Sequence, residues 1–314
     1  MFSLYTVFII LHISLSISFA STDFYRNIFD KQKNKRIVSG NTTLSIDIVR
    51  SSVECAGVCS IVQQCCSSTY ETSSGRCILD TLSTPETETT DNSNVMVKIP
   101  DSIDNLQLSD CSELPACTIS GVFEIYPVVT NKIDVYCDMD TDSGGWTIVQ
   151  RRVDDSVDFY RYWKDYKNGF GSVSENHWLG NENLHILTKT RNYVVRFEVQ
   201  DFNNNTAYAE YQSFRVDNEA SQYRVTFSGY TGTAGNGFEL NNGMKFTTRD
   251  RDNDLHKYHC GQGQKGAWWY NACAKSSLNG IYAPEGTTGA KTIYWKLWRG
   301  TTLKATAMKI RPIN

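Results

Sequence analysis

Asp250-Arg251-Asp252-Asn253-Asp254 sets three carboxylates at alternate positions, ahead of a largely polar run to Cys260. Carboxylates crowded this way repel one another unless a hard cation or a basic side chain joins them. Ca2+ takes about six to eight oxygens from carboxylates, carbonyls and water. The spacing imitates the start of an EF-hand, yet Leu255 occupies the place of the required glycine and Gly261 that of the bidentate glutamate. It is not an EF-hand. On spacing alone two readings stand side by side: a calcium loop of another kind, or a solvated acidic turn neutralised by Arg249 and Arg251.

His256-Lys257-Tyr258-His259-Cys260 offers a softer donor set, which would suit zinc only with Cys260 a free thiolate. Pairing of Cys260 with Cys273, 13 positions on, is the expected alternative in an oxidising compartment. It closes a loop around Gly266-Ala267-Trp268-Trp269-Tyr270, and such closure contributes about 3 kcal/mol in the chain-entropy description. No G-x-S-x-G, H-E-x-x-H or P-loop occurs, and the five His lie near no evident nucleophile. A binding protein is expected, not an enzyme.

These residues need a scaffold, and the sequence is long enough to supply one. Its 314 residues suit about two domains, and a net charge of -3 excludes a basic nucleic-acid platform. Met1 to Ala20 is apolar or Ser/Thr apart from His12, ending in Ser18-Phe19-Ala20, the layout of a cleaved secretory signal. The mature protein is expected to be secreted, with its 10 Cys oxidised. No later run is apolar enough to span a membrane. Asn41-Thr42-Thr43 and Asn204-Asn205-Thr206 are glycosylation sequons.

The cysteines form two groups of five. Cys55, Cys59, Cys65, Cys66 and Cys77 crowd together; Cys111, Cys117, Cys137, Cys260 and Cys273 are spread out. Between them, residues 84–107 are polar, acidic and Thr-rich, the composition of an extended linker. Residues 21–83 form a small module that needs its disulfides. There Val49 to Cys59 sets Val53, Cys55 and Cys59 toward one side of a short helix, with Cys77-Ile78-Leu79 as a returning strand. This arrangement resembles PAN/apple domains, which implies adhesion to protein or carbohydrate. Lys33-Asn34-Lys35-Arg36 has the form of a proprotein-convertase site, with a solvated basic loop as the other reading.

Residues 108–314 read as an α+β domain. Val195, Phe197 and Val199 alternate with Arg196, Glu198 and Gln200, and Tyr223, Val225 and Phe227 alternate with Arg224, Thr226 and Ser228. Both patterns mark half-buried antiparallel strands. Phe123–Tyr126, Trp146–Val153, Ile293–Trp298 and Ala307–Ile310 are further strand candidates; Asp158–Tyr166 and Glu182–Leu187 are helix candidates. Gly/Asn-rich loops such as Ser228–Gly243 fill much of the remainder.

A series of motifs then falls in order: Cys137-Asp138-Met139-Asp140, Gly144-Gly145-Trp146-Thr147, Tyr166-Lys167-Asn168-Gly169-Phe170-Gly171, Trp178-Leu179-Gly180-Asn181, Asp252-Asn253-Asp254, Gly266-Ala267-Trp268-Trp269-Tyr270, Leu278-Asn279-Gly280 and Met308-Lys309-Ile310-Arg311-Pro312. The series resembles the fibrinogen C-terminal domain shared by fibrinogens, ficolins, tachylectins, angiopoietins and tenascins, over about two-thirds of the sequence.

That resemblance implies a central antiparallel sheet and long calcium-binding loops. It implies Ca2+ held by the carboxylates of Asp252 and Asp254 and the backbone carbonyls of His256 and Tyr258. It also implies a cis peptide at Ala272–Cys273, the Cys260–Cys273 bond, and a bond from Cys111 or Cys117 to Cys137. In the acetyl-recognising lectins of the family an aromatic-lined pocket adjoins the calcium loop. Here Gln264 stands where an aromatic is expected, Ala274 where a His follows the second Cys, and Gly289 where a Tyr precedes the small residue Ala290. The implied pocket, with Ala272 and Cys273 in its wall, is wider and less aromatic. Trp268 and Trp269 are expected to be buried wall residues.

Each cysteine group then has one member left over. The leftovers either join the modules or link two copies, and with no coiled-coil or collagen run to drive assembly a disulfide-linked homodimer is expected. The functional expectation is a secreted calcium-dependent lectin-like protein that binds surface glycans in innate defence. The alternative is a receptor-binding signalling or matrix ligand of the angiopoietin-like or tenascin-like kind.

Overall fold

The computed structural model describes residues 29–313, except 41, 63, 84, 99–106 and 129–130. The expected signal peptide and the Asn41 sequon lie outside the described residues. Among the described residues two compact units emerge: one holds those up to Lys98 with Pro115–Ile119, the other Gln107–Leu114 with those from Ser120 to Ile313.

In the first unit, β1 (Phe29–Ile37), β2 (Thr43–Ile48), β3 (Ser67–Glu71), β4 (Arg76–Asp80) and β5 (Thr87–Lys98) form an antiparallel sheet in the order β1-β5-β3-β4-β2. The helix α1 (Ser52–Ile61) starts where the Ser51 hydroxyl accepts the Glu54 N–H at 3.1 Å, while the Glu54 carboxylate accepts the Arg50 N–H at 2.7 Å. Cys55, Ala56 and Cys59 are its buried residues, and they join Phe29, Val49, Tyr70, Leu79 and Met96 in the core. Cys55–Cys77 fastens α1 to β4, and Cys59–Cys65 closes the helix exit. Val53 is exposed, because two helical steps carry it about 200° round from Cys55.

Two expectations for this region change. The segment expected to be a linker contains β5, which lies between β1 and β3 with Val95 paired to Gln32 on one side and Thr69 on the other. Its polar half conceals Val95-Met96-Val97, of which Val95 and Met96 are core residues. Lys33–Arg36 is part of β1, and Arg36 forms ion pairs with Glu71 (3.1 Å) and Glu88. A protease would have to strip a paired strand from the sheet to reach it.

The disulfide-linked dimer also gives way. Cys66 bonds Cys117, which belongs to the same unit, and Cys111 bonds Cys137, so all five pairs are internal and no cysteine is free.

In the second unit a hairpin of β6 (Gly121–Val128) and β7 (Asn131–Asp138) leads to β8 (Trp146–Arg152). Then come α2 (Trp163–Asn168), β9 (Phe170–Gly171), β10 (His177–Trp178), α3 (Asn181–Thr188), β11 (Tyr193–Gln200), β12 (Thr206–Val216), β13 (Val225–Gly232), α4 (Cys260–Gly263), β14 (Ser276–Ser277), β15 (Tyr294–Trp295) and β16 (Ala305–Pro312). The main sheet runs β13-β12-β11-β16-β8-β10-β9, with β7 also beside β8, so the last strand sits between β11 and β8. Along β11, Val195, Phe197 and Val199 are buried as the alternation requires. Arg196 on the opposite face is nonetheless buried, paired with Asp142, Glu198 and Glu210 and lying over the Tyr208 ring.

Helix α2 begins at Trp163, later than its residues suggest. The Asp158 carboxylate takes the Tyr160 N–H at 2.8 Å, and Tyr162 is extended (φ −81°, ψ 166°) just ahead of the helix. Of the Ile293–Trp298 candidate, only Tyr294–Trp295 is strand, paired with β14, before the Trp298 N–H turns back to the Trp295 carbonyl. Trp268 and Trp269 are fully buried, packed with Phe197, Phe238, Phe246 and Trp178. No helix among the described residues is long and apolar enough to cross a membrane.

Candidate functional site

The acidic loop is strapped to the disulfide-closed loop by backbone bonds. Thr247 and Trp268 exchange N–H···O bonds at 2.9 and 3.1 Å, and Leu255 donates to the Asn271 carbonyl at 3.0 Å. Asn253 is anchored twice, through Thr247 Oγ1 and the Phe246 carbonyl. Gly261 lets α4 lie against this strap, since a Cβ there would stand 2.7 Å from the Thr248 carbonyl oxygen. Cys260–Cys273 closes the loop and the Ala272–Cys273 peptide is cis. With both sulfurs bonded, the His256, Cys260 and Cys273 group offers no thiolate and the zinc reading falls.

The three carboxylates part company. Asp250 turns away, accepting the Trp163 N–H at 2.8 Å and the Thr248 hydroxyl at 2.7 Å. Asp252 and Asp254 converge instead, with donor atoms of Asp252, Asp254 and His259 within 4.8 Å of one another. Asp254 accepts the N–H groups of His256 and Cys260, each at 2.9 Å. Burial, and then the neighbouring Asp252 carboxylate, push the Asp254 carboxyl above its usual range. Arg249 and Arg251 do not neutralise the pair: Arg249 lies over Tyr160 and Tyr162, and Arg251 over Trp163. No Lys or Arg nitrogen among the described residues comes within 4 Å of Asp252 or Asp254. Two uncompensated hard-oxygen donors suit a Ca2+ ion in kind. His256 Nδ1 sits 3.1 Å from both the N and the O of Tyr258, drawing that turn tight beside them. A cavity of about 400 Å3 adjoins, lined by Gln222, Met244, Lys245 and the Asp252–Leu255 run.

On the other side of the disulfide, Gln264, Cys273 and Ala274 are half-buried and Ala272 is exposed. A residue that sequence reasoning passes over joins them. The buried Tyr294 directs its hydroxyl at Gln264 Oε1 (3.2 Å) and the Ala274 carbonyl (3.3 Å). The sequence marks it only as part of a strand, and nothing in its neighbours shows the side chain facing this wall. An aromatic side chain therefore reaches Gln264 and Ala274 from β15. Gly289 and Ala290 lie exposed on the loop between β14 and β15, near the Thr288–Thr301 bridge. Gly289 has φ 117°, so an aromatic at that position would require a different backbone as well as a different side chain.

Residues 108–313 match the family described as fibrinogen beta and gamma chains, C-terminal globular domain. The protein belongs to this family. Among its relatives, Techylectin-5A of Tachypleus tridentatus is 43% identical over 217 residues, 66% of this sequence and 74% of that protein. Angiopoietin-2 of Bos taurus is 44% identical over 213 residues, 65% of this sequence but only 43% of that protein. The fibrinogen-like globe domain of human ANGPTL6 aligns with a TM-score of 0.63 at 35% identity, covering 66% of this protein and 96% of that domain. The fibrinogen-like domain thus occurs in a protein named as a lectin and in proteins named as angiopoietins.

Proposed function

We propose that this protein is a secreted, calcium-dependent lectin that recognises surface glycans in innate defence. The observation that carries the reading is the pairing of Asp252 with Asp254, unneutralised, on a loop hydrogen-bonded to the disulfide-closed one, beside which the Tyr294 hydroxyl meets Gln264 and Ala274. The two carboxylates and the carbonyls of His256 and Tyr258 would hold Ca2+, which when bound fixes the loop. The protein's own groups do the recognition: the Tyr294 hydroxyl, the Gln264 amide and the Ala274 carbonyl meet sugar hydroxyl or amide groups. The likeness to Techylectin-5A supports this reading. The first unit is read as a PAN/apple-like adhesion module, in keeping with a helix stapled to a strand by Cys55–Cys77. A glycan array read in calcium and in chelator tests the proposal; saturable, chelator-sensitive binding is expected.

A second reading, a receptor-binding ligand, is favoured by one observation. Leu255 and Tyr258 are each 68% exposed on the acidic loop, an apolar surface suited to a protein partner. A flat array together with retained binding to a cell-surface protein would decide for it.

A further inference from the structure

The main sheet of the second unit carries a groove far from the acidic loop. Along β16, Ala305 is paired with Gln200 and Ala307 with Glu198 on one side, and Ala307 with Arg151 of β8 on the other. Directly paired residues share a face of the sheet, so the two alanines make a low floor between longer side chains. The hollow has a volume of about 620 Å3, with Arg151 on the β8 side and Thr206, Tyr208 and Thr233 on the other. Its charges are largely paired. Arg196 lies 3.9 Å over the Tyr208 ring and meets Asp142, Glu198 and Glu210, and Glu198 also meets Lys309. Arg151 has no carboxylate within 4 Å among the described residues; it gives one N–H to the Ser174 carbonyl at 3.4 Å and keeps most of its five donors. A fixed ring, hydroxyls and free donors with little net charge suit a neutral sugar.

The sequence places a source of sugar at the end of this groove. The sequon Asn204-Asn205-Thr206 lies at the turn from β11 to β12, and Thr206 both completes it and lines the groove. The turn is firmly held. The Asp201 carboxylate accepts the N–H groups of Asn203 and Asn205 at 3.0 and 2.9 Å, the Asp201 carbonyl accepts that of Asn204 at 3.0 Å, and Arg299 donates to the same carboxylate at 3.0 Å. Asn204 sits at φ 64°, a left-handed conformation that asparagine tolerates. Lys304 donates to its Oδ1 at 2.6 Å, while its Nδ2 has no partner among the described residues. Asn204 and Thr206 are both exposed. We infer that Asn204 carries an N-linked glycan and that the groove is the seat of its first sugars. Attachment forms a bond from Asn204 Nδ2 to C1 of an N-acetylglucosamine; the bond from C1 to its lipid-pyrophosphate donor breaks, the pyrophosphate leaves, and one amide proton goes to solvent. The apolar face of the sugar core lies on Tyr208, and its hydroxyl and amide groups meet Arg151, Gln200 and the Thr233 hydroxyl. Because the turn fixes the root of the glycan, seating costs little further entropy. The seated glycan closes this sheet face to partners and leaves recognition to the loops. The inference is independent of the lectin reading.

The test uses the full-length protein secreted from eukaryotic cells, as wild type, Asn204→Gln, Thr206→Val and Tyr208→Leu. Peptide mapping reads the occupancy of Asn204. Phenylglyoxal labelling followed by mass spectrometry reads the accessibility of Arg151, with the exposed Arg224 as reference. Asn204 is expected to be glycosylated in wild type and in Tyr208→Leu. Arg151 is expected to label about fivefold or more slowly in wild type than in the two sequon variants, the scale of one net hydrogen bond. Tyr208→Leu keeps the glycan and regains most of the labelling, which separates seating from mere attachment. Where that variant fails to fold, Ala305→Gln raises the floor of the groove and is expected to restore labelling in the same way. An unmodified Asn204, equal labelling of Arg151 with and without the glycan, or protection that persists in both sequon variants would each overturn the inference. Persistent protection that fades on dilution assigns the groove instead to a second copy of the protein.

Discussion

Tyr294 holds its phenolic oxygen 3.2 Å from the Gln264 carboxamide oxygen and 3.3 Å from the Ala274 carbonyl. One hydroxyl proton faces two acceptors, so one of them is left to receive a donor from outside. Burial carries the phenol up to about 12, so it stays protonated near neutral pH. Tyr294→Phe removes this bridge and keeps the ring. The expected result is a loss of about 1 kcal/mol in stability together with a change of about threefold or more in affinity for the best array ligand. Calorimetric titration of the variant measures it; an unchanged affinity would reduce Tyr294 to a packing residue.

Asp252→Asn with Asp254→Asn is expected to abolish any calcium-induced rise in the melting temperature of the fibrinogen-like unit. An ion bound only by the folded state stabilises it by RT ln(1 + [L]/Kd), about 2.7 kcal/mol at a hundredfold excess over Kd. For a unit of this size that corresponds to a shift of about 5–10 °C. Scanning calorimetry with calcium and with chelator reads it directly. Superimposable wild-type curves would remove the calcium assignment.

Much of the second unit is legible in the sequence because its signals are local or rigidly spaced. Alternation at Val195, Phe197 and Val199 states which face of β11 is buried, and the Trp268-Trp269 pair sits between two cysteines 13 positions apart whose pairing closes a short loop. The divergence of Asp250 from Asp252 and Asp254 is invisible to spacing, since it depends on the Trp163 N–H, 87 positions away in sequence. Tyr294 escapes notice for the same reason: its partners lie 30 and 20 positions off. β5 is hidden because polar residues dominate its segment, although Val95-Met96-Val97 pairs on both sides. A central strand of a small sheet can draw its burial from three residues when its neighbours cover the rest.

That strand makes a testable difference. A linker at 84–107 would be cut quickly by a broad protease, whereas Thr87–Lys98 in the interior of the sheet is expected to resist until the unit unfolds. Val95→Pro removes an N–H from a strand paired on both sides and is expected to destabilise the unit by about 3 kcal/mol or more, restoring rapid cleavage there. Limited proteolysis with mass mapping decides it. Early wild-type cleavage between Thr87 and Lys98 would return the segment to a linker.

The Cys66–Cys117 bond predicts a secreted protein that runs as a monomer on non-reducing electrophoresis, with no titratable thiol. Peptide mapping is expected to recover Cys66 linked to Cys117. Their separation of 51 positions makes the bond worth about 4 kcal/mol in the chain-entropy description. Cys66→Ser with Cys117→Ser should therefore lower stability without changing the association state. A covalent dimer in the wild type would overturn the pairing.

Lys309, its side chain 1% exposed, sits 2.7 Å from Asp138 and 2.8 Å from Glu198. Burial by itself would raise the Asp138 carboxyl, but the Lys309 ammonium and the Thr141 hydrogen bonds overcome it and hold the group below its usual range. A carboxyl depressed in the folded state contributes stability that is present above the unfolded value of about 3.9 and is lost as pH falls through the lower folded one. Asp138→Asn leaves Lys309 with Glu198 as its one carboxylate and the Thr141 hydroxyl beside it. Removing one partner of a buried ion pair costs about 3–5 kcal/mol when nothing replaces it, so with Glu198 in place a loss of about 2 kcal/mol at pH 7 is expected. The variant should then lose less on acidification from about pH 5 to pH 2 than the wild type, because one linked carboxylate is gone. Denaturant titrations at both ends of that range measure the difference; parallel losses in the two proteins would remove Asp138 from the acid response.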